Sequence, residues 1–261
     1  MTHVRPNIAA MQGYVPGEQP RGQELVKLNT NENPYPCSPA VKAQIGRALQ
    51  AGLQRYPDPL ANAFRERAAA LHAAELPQIT PDWILCGNGS DDLLTIVTRA
   101  LVGEGDLVRF PHPSYILYST LAEIQGARSE TVPFRPDWTL GSEFTRPAER
   151  LKLAFLANPN SPTGTFVSPD AVRALAAALP CPLVVDEAYG DFADANCLAL
   201  VGENERVMVT RTLSKSYSLA GLRFGYVVAQ PHVVEQFAKV KDSYNCDALS
   251  IAGATAAIDD R

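Results

Sequence analysis

The sequence has no long apolar run, no basic tract and no paired cysteines, and each absence excludes a class of protein. The longest uncharged apolar stretch, Ala174 to Val185, is 12 residues long and holds two prolines, too short to span a bilayer. Lys and Arg number 23 against 28 Asp and Glu, a formal net charge of -5. With no Lys/Arg-rich run, that balance argues against a nucleic-acid partner, which a basic patch would announce. The five cysteines (Cys37, Cys86, Cys181, Cys197 and Cys246) are odd in number, widely spaced and contain no CxxC pair. They read as reduced thiols of a cytoplasmic protein rather than a disulfide framework or a zinc site. The four histidines, His3, His72, His112 and His232, lie far apart without ligand spacing, so no metal site is read. The opening MTHVRPNIAAMQGY lacks an apolar h-region, so no signal peptide is read either.

What is present is the material of a folded α/β protein. The chain is 46% hydrophobic and 261 residues long, enough to bury a substantial core in one or two domains. Residues 1 to about 39, rich in Pro, Gly and Asn, read as an extended arm. Ala40 to Leu53, with Val41, Ile45 and Leu49 at helical spacing, and the Ala-rich Ala61 to Leu76 read as helices. From Trp83 onward strand and helix signals alternate. "WILCG" is a strand, followed by a helix opened by "GNGSDD" with Ser90, Asp91 and Asp92 as cap and first-turn residues. "DLVRF" is a strand ended by Pro111 and Pro113, and "LKLAFLA" a strand ended by the turn "NPNSPTG". The helix "SPDAVRALAAAL", the strands "PLVVDEAY", "RVMVTRTL" and "GYVVA", and the helices "HVVEQFAKV" and "LSIAGATAAIDDR" complete the pattern. Such alternation predicts a mostly parallel sheet sandwiched by helices, with function gathered at the carboxyl ends of the strands.

Polar residues do gather there. Gly87-Asn88-Gly89-Ser90 follows one strand, Asn158 another, Asp186 and Tyr189 a third, and Thr212, Ser214 and Lys215 a fourth. The GNGS loop offers free backbone N–H groups at a helix start, an anion site; it is neither GxGxxG nor a P-loop, and a plain capped helix start is the bland alternative. Asp186 ends an apolar run, where a carboxylate needs a cationic or hydrogen-bonding partner; a buried ion pair is its bland alternative. Most lysines are solvated surface charges. Lys215, among hydroxyls at a strand end, instead suits an amine of lowered pKa that condenses with carbonyls. Arg223 can hold a phosphate in bidentate fashion, with Gly221 and Gly225 giving backbone clearance. Together these groups describe a site for an aldehyde carrying a phosphate and a basic ring, which is pyridoxal phosphate. Glu187, beside Asp186, reads as structural.

The stretches "YVPGEQP", "VKLNTNENPYPCSP", "RYPDP", "CGNGSDDLL", "PHPSYILY", "NPNSPTG", "VVDEAY" and "RTLSKSYSLAGLRFGY" resemble the fold-type I pyridoxal-phosphate-dependent aminotransferases, and "LNTNENP" with "SKSYSLAGLR" resembles their histidinol-phosphate branch. The resemblance implies amino transfer between glutamate and imidazole-acetol phosphate. It implies that Lys215 bonds the cofactor aldehyde and shuttles the substrate Cα proton, with Asp186 facing the ring nitrogen. Asn158 and Tyr189 would then donate to the phenolic oxygen and Tyr115 would stack on the ring. Gly89, Ser90, Asp91, Thr212, Ser214 and Arg223 would cradle the phosphate. Tyr56 would reach the phosphate of a neighbouring subunit, making a homodimer. Asn33 and Tyr14, from the arm, would touch substrate. It further implies residues 1–55 as the arm and part of a small domain, and 56–261 as the cofactor-binding large domain. The family's chains continue past the equivalent of Arg261, completing the small domain and supplying an arginine for the substrate carboxylate, so the small domain is expected to be incomplete here. Three alternatives stay open on the same residues: a phosphothreonine decarboxylase-like lyase, an aromatic or branched-chain aminotransferase, and a cofactor-binding fragment without turnover.

Overall fold

The structure is a computed structural model that describes residues 3–12 and 27–260. Its order is α1 (Pro6–Ala10), α2 (Pro39–Ala51), α3 (Asn62–His72), β1 (Ile84–Gly87), α4 (Ser90–Leu101), β2 (Leu107–His112), α5 (Leu117–Ile124), β3 (Arg128–Pro133), β4 (Leu151–Ala157), α6 (Pro169–Ala178), β5 (Leu183–Asp186), α7 (Leu198–Glu203), β6 (Val207–Thr212), β7 (Gly225–Val228), α8 (Pro231–Val240) and α9 (Ala248–Asp259). The seven strands form one sheet in the order β1-β7-β6-β5-β4-β2-β3. Every pair is parallel except those of β7, which runs antiparallel to both β1 and β6.

The central strands are rich in apolar residues because helices cover both faces. Along β5, Leu183 and Val185 enter one core cluster and Val184 the other. The same alternation runs through Val207, Met208 and Val209 of β6, as the two-residue period of a strand requires. One cluster includes α3, α6 and α9 residues such as Phe64, Val172 and Ala257. The other gathers Leu93, Leu121 and Phe237 of α4, α5 and α8. α9 is apolar nearly all round, and Gly253 lets it approach closely: a Cβ there would lie 2.7 Å from Leu222 and 3.0 Å from Ile45.

Three local expectations are corrected, and two elements, α5 and β3, were not expected. β2 does not stop before Pro111 but runs to His112. Pro111 is tolerated because β2 pairs with β4 only from Leu107 to Arg109, so no hydrogen bond is asked of a missing N–H on that side. α5 and β3 carry no strong sequence signal: α5 has only eight residues and no side-chain cap, and β3 is an edge strand with mostly exposed residues. The cap of α4 is Gly89, at φ 83°, with Ser90 as the first helical residue. Finally, the two central apolar strands are shorter than the apolar stretches that announced them, "PLVVDEAY" and "RVMVTRTL", since β5 stops at Asp186 and β6 at Thr212. Among the described residues, no helix is long and apolar enough to cross a membrane.

Candidate active site

At the carboxyl ends of β4, β5 and β6, beside the N-terminus of α4, lies a cavity of about 530 Å³. Its walls bring together Ser90, Asp91, Tyr115, Asp186, Tyr189, Thr212, Ser214, Lys215 and Arg223, nine residues drawn from five separate stretches of sequence.

Asp186 forms the floor. It is the last residue of β5 and only 4% exposed. Its Oδ2 accepts a hydrogen bond from the Tyr118 hydroxyl at 2.8 Å. Its Oδ1 accepts from Thr210 Oγ1 at 3.0 Å and from the Ala188 N–H at 3.2 Å. Burial pushes this carboxyl up, and the three donors oppose that push. No ion pair neutralises Asp186 among the described residues, so a buried carboxylate faces the cavity with a hydrogen-bonded shell and no cation. A protonated ring nitrogen is the chemical complement of that arrangement.

Lys215 closes the opposite side. Its Nζ donates to the Thr30 carbonyl at 3.0 Å and the Asn31 carbonyl at 3.4 Å, and lies 5.5 Å from the centroid of the Tyr189 ring. The Tyr189 hydroxyl accepts from Asn31 Nδ2 at 2.9 Å. Among the described residues the amine is therefore satisfied by backbone carbonyls of the arm and makes no direct ion pair with a carboxylate.

The third wall is an anion cradle. α4 presents unpaired first-turn N–H groups at Ser90. Thr212 Oγ1 and Ser214 Oγ are linked at 3.0 Å, and Arg223 Nη1 donates to Ser214 Oγ at 3.4 Å. Arg223 Nη2 sits 3.6 Å from Asp91 Oδ2, whose other oxygen accepts from the Tyr115 hydroxyl at 3.1 Å. Two glycines make room. A Cβ on Gly89 would lie 2.5 Å from Arg223 Nη2, and one on Gly225 would lie 2.7 Å from the Arg211 carbonyl oxygen. Gly221 differs from the expectation of clearance, since a Cβ there would meet nothing within 4 Å. The donors, the arginine and the space a Cβ would fill suit a phosphate monoester, and with Asp186 and Lys215 they fit pyridoxal phosphate.

Three expected residues are placed otherwise, and a fourth is not described. Asn158 is turned away from the cavity. Its Nδ2 donates to the Val167 carbonyl and its Oδ1 accepts from the Val167 N–H, both at 2.8 Å, so the amide is spent on the loop after β4. Ser161, three residues on, lines the cavity from that loop instead. Asn33 does not line the cavity; its Nδ2 donates to the Lys215 carbonyl at 3.2 Å, tying the arm to the lysine loop. Tyr56 is 80% exposed and stacks on Tyr244 at 4.4 Å, away from the cavity of its own protomer. Tyr14 lies outside the described residues.

Other cavity residues were not anticipated. Asn29 to Glu32 form its roof; the resemblance brings the arm to the substrate through Asn33 and Tyr14, and it is the stretch just before Asn33 that lines the cavity. Tyr118 and Thr210 reach Asp186 from behind. Tyr118 sits three residues after the flagged Tyr115, a helical spacing that offered a clue. Thr210 is the register partner of Asp186 across β5 and β6, information that only the sheet contains.

The geometry has close counterparts. A family profile described as aminotransferase class I and II matches residues 23–261. The chain is 57% identical over 254 residues to a histidinol-phosphate aminotransferase of Rhodopirellula baltica, covering 97% of this chain and 69% of that protein. It is 47% identical to one of Geotalea uraniireducens, covering 100% of this chain and 74% of that protein. Among solved structures, a histidinol-phosphate aminotransferase from Sinorhizobium meliloti in complex with pyridoxal-5'-phosphate superposes with a TM-score of 0.87 at 28% identity, over 100% of this chain and 72% of that one.

Proposed function

The chain belongs to the class I and II aminotransferase family, and from that premise we propose that it carries out the amino transfer of histidine biosynthesis, between glutamate and imidazole-acetol phosphate, on pyridoxal phosphate. The observation that carries this reading is the cavity in which an unneutralised buried carboxyl, Asp186, and a lysine amine, Lys215, stand across from an anion cradle. When bound, pyridoxal phosphate supplies an electron sink for a carbanion next to nitrogen.

The residues of this chain do the rest. Asp186 holds a proton at the ring nitrogen, and its Tyr118 and Thr210 donors keep the carboxyl ionised and oriented while the ring is bound. The N–H groups of α4, with Thr212, Ser214 and Arg223, bind the phosphate and fix the register of the ring in the cavity. Lys215 would hold the cofactor at its aldehyde carbon, with loss of water, and its amine, once released by the incoming substrate amine, would be the base placed to move the proton from the substrate Cα. Tyr115 would offer its ring to the cofactor and Tyr189 would offer its hydroxyl to the phenolic oxygen. We take residues 1–55 as arm and part of a small domain and 56–261 as the cofactor domain. The active unit is a homodimer in the cytoplasm: the exposed Tyr56–Tyr244 stack is available to a second copy, and the free cysteines suit a reducing compartment.

The test is turnover. The protein is expected to convert glutamate and imidazole-acetol phosphate to 2-oxoglutarate and histidinol phosphate. Release of CO2 from threonine phosphate without that transfer would replace the reading with a lyase. Binding of the cofactor without either reaction would leave a cofactor-binding protein.

A further inference from the structure

We propose that the ion chain Glu187–Arg211–Asp191, buried at Glu187 and Arg211 and reaching the surface at Asp191 and Ser216, is a positioning device that locks Lys215 and Tyr189 to each other from behind the cavity. The proposal rests on the cofactor reading above and adds residues that reading leaves unused.

Arg211 sits on β6, one strand position before Thr212, and its side chain is 7% exposed. Its Nε and Nη2 both reach Glu187 Oε2 at 2.8 Å. Its Nη1 donates to Asp191 Oδ1 at 3.0 Å. The other oxygen of Asp191 accepts from the Ser216 hydroxyl. The remaining oxygen of Glu187 accepts from the Cys197 N–H. The guanidinium thus ties β6 to both ends of one segment, residues 187–191, which carries Tyr189 between its two carboxylates. The far carboxylate, Asp191, in turn ties that segment to Ser216, the neighbour of Lys215. Gly190 is shaped to this contact: a Cβ there would lie 2.9 Å from Glu187 Cβ and 3.4 Å from Arg211 Cζ.

Stability alone is a poor reason for such a chain, because buried ion pairs of this kind are often replaced by apolar residues at no loss. A planar fork with fixed bond directions does something apolar packing does not, which is to set the distance between two loops. Here those loops deliver the amine and the aromatic ring that stands 5.5 Å from it. From the other side, Asn33 donates to the Lys215 carbonyl, so the lysine backbone is gripped on two faces while only the Nζ end remains exchangeable.

The test uses the whole chain and two readouts besides turnover. These are the pH midpoint of the absorbance band formed when pyridoxal phosphate bonds to Lys215, and the rate at which borohydride traps that bond. Ser216→Ala and Asp191→Asn cut the chain at its outer end without opening the core. Each is expected to move the midpoint by at least about half a pH unit, equivalent to about threefold in the proton equilibrium, and to slow trapping. Melting of the cofactor-free protein should stay within about 2 °C of the parent, as for a substitution at the protein's edge. Arg211→Lys keeps the charge and loses the fork, and is expected to move the midpoint further. If the variants melt lower but leave midpoint and trapping rate unmoved, the chain is only structural and the proposal falls. If the parent chain itself forms no band, the cofactor reading fails and the positioning role with it.

Discussion

The floor and the roof of the cavity are built in opposite ways. Asp186 is set by the sheet: it ends β5, faces its register partner Thr210, and lies under the buried Tyr118 ring, which stacks on Phe155 at 4.5 Å. Lys215 is set by loops, and its amine rests on two carbonyls of an arm whose own residues are largely exposed. The floor is a fixed electrostatic surface whose desolvation three donors offset in part. The roof is a set of exchangeable hydrogen bonds that an incoming aldehyde can replace. A site of this kind keeps its charge template rigid and its nucleophile releasable.

The sharpest way to break that contrast is Lys215→Ala. It should abolish the cofactor absorbance band and lower amino transfer by at least about 100-fold, the lower end for losing a positioned proton-transfer group. Survival of the band would move the aldehyde-binding role to another amine. Asp186→Asn is next, and it should split stability from function. Amino transfer and cofactor affinity should fall, while the cofactor-free protein loses no stability at neutral pH. The sign follows from burial. Because Asp186 is raised in the native state, the folded protein holds a proton that the unfolded chain has released. Stability therefore declines as pH rises from the ordinary carboxylate range through the folded value. Urea unfolding across that range should show a shallower decline in Asp186→Asn; Glu187, which burial raises while Arg211 opposes it, contributes a slope of the same sign, and the lowered carboxyls of Asp58, Asp106 and Glu203 contribute slopes of the opposite sign.

Gly89→Ala tests the cradle between floor and roof. At φ 83° and with Arg223 Nη2 in the place of a Cβ, the substitution should cost about 1 kcal/mol of stability and weaken cofactor binding, measured by titration of the band. Asn31→Ala should have the smallest effect. It removes the donor to Tyr189 from an exposed arm residue, so unfolding should change by less than about 0.5 kcal/mol. The band should still form, with a modest rise in the substrate KM. A large loss of stability from Asn31→Ala would mean that the roof is as fixed as the floor.

Much of this arrangement was legible before any coordinates. The strands ending at Gly87, Ala157, Asp186 and Thr212 announced themselves by apolar runs closed by polar residues, and the carboxyl-end rule then put Asp186, Lys215 and Ser90 in one place. What escaped is what depends on distance along the third dimension. Thr210 reads as one more residue of an apolar strand until the β5–β6 register sets it against Asp186. Asn158 carries the right chemistry at a strand end, yet its amide is satisfied by Val167, and nothing in the order of residues says which way a loop amide turns. Arg211 hides among the valines and threonines of β6. Its partner Glu187 reads as structural, and nothing in the order of residues says that the guanidinium lies against it.

The reversed strand β7 has one more consequence. Because β7 alone runs against the sheet, its first residue, Gly225, lies beside the last residues of β1 and β6, paired with Gly87 and Thr212. The parallel strands leave the sheet at the site, whereas β7 enters it there. The twelve residues 213–224 are thus a loop whose two ends are stitched together at its base, with the lysine on the outgoing limb and Arg223 on the returning one. The reach between the group that meets the aldehyde and the group that meets the phosphate is set by the sheet at that base. Changes at the tip of the loop can vary its sequence without altering that reach.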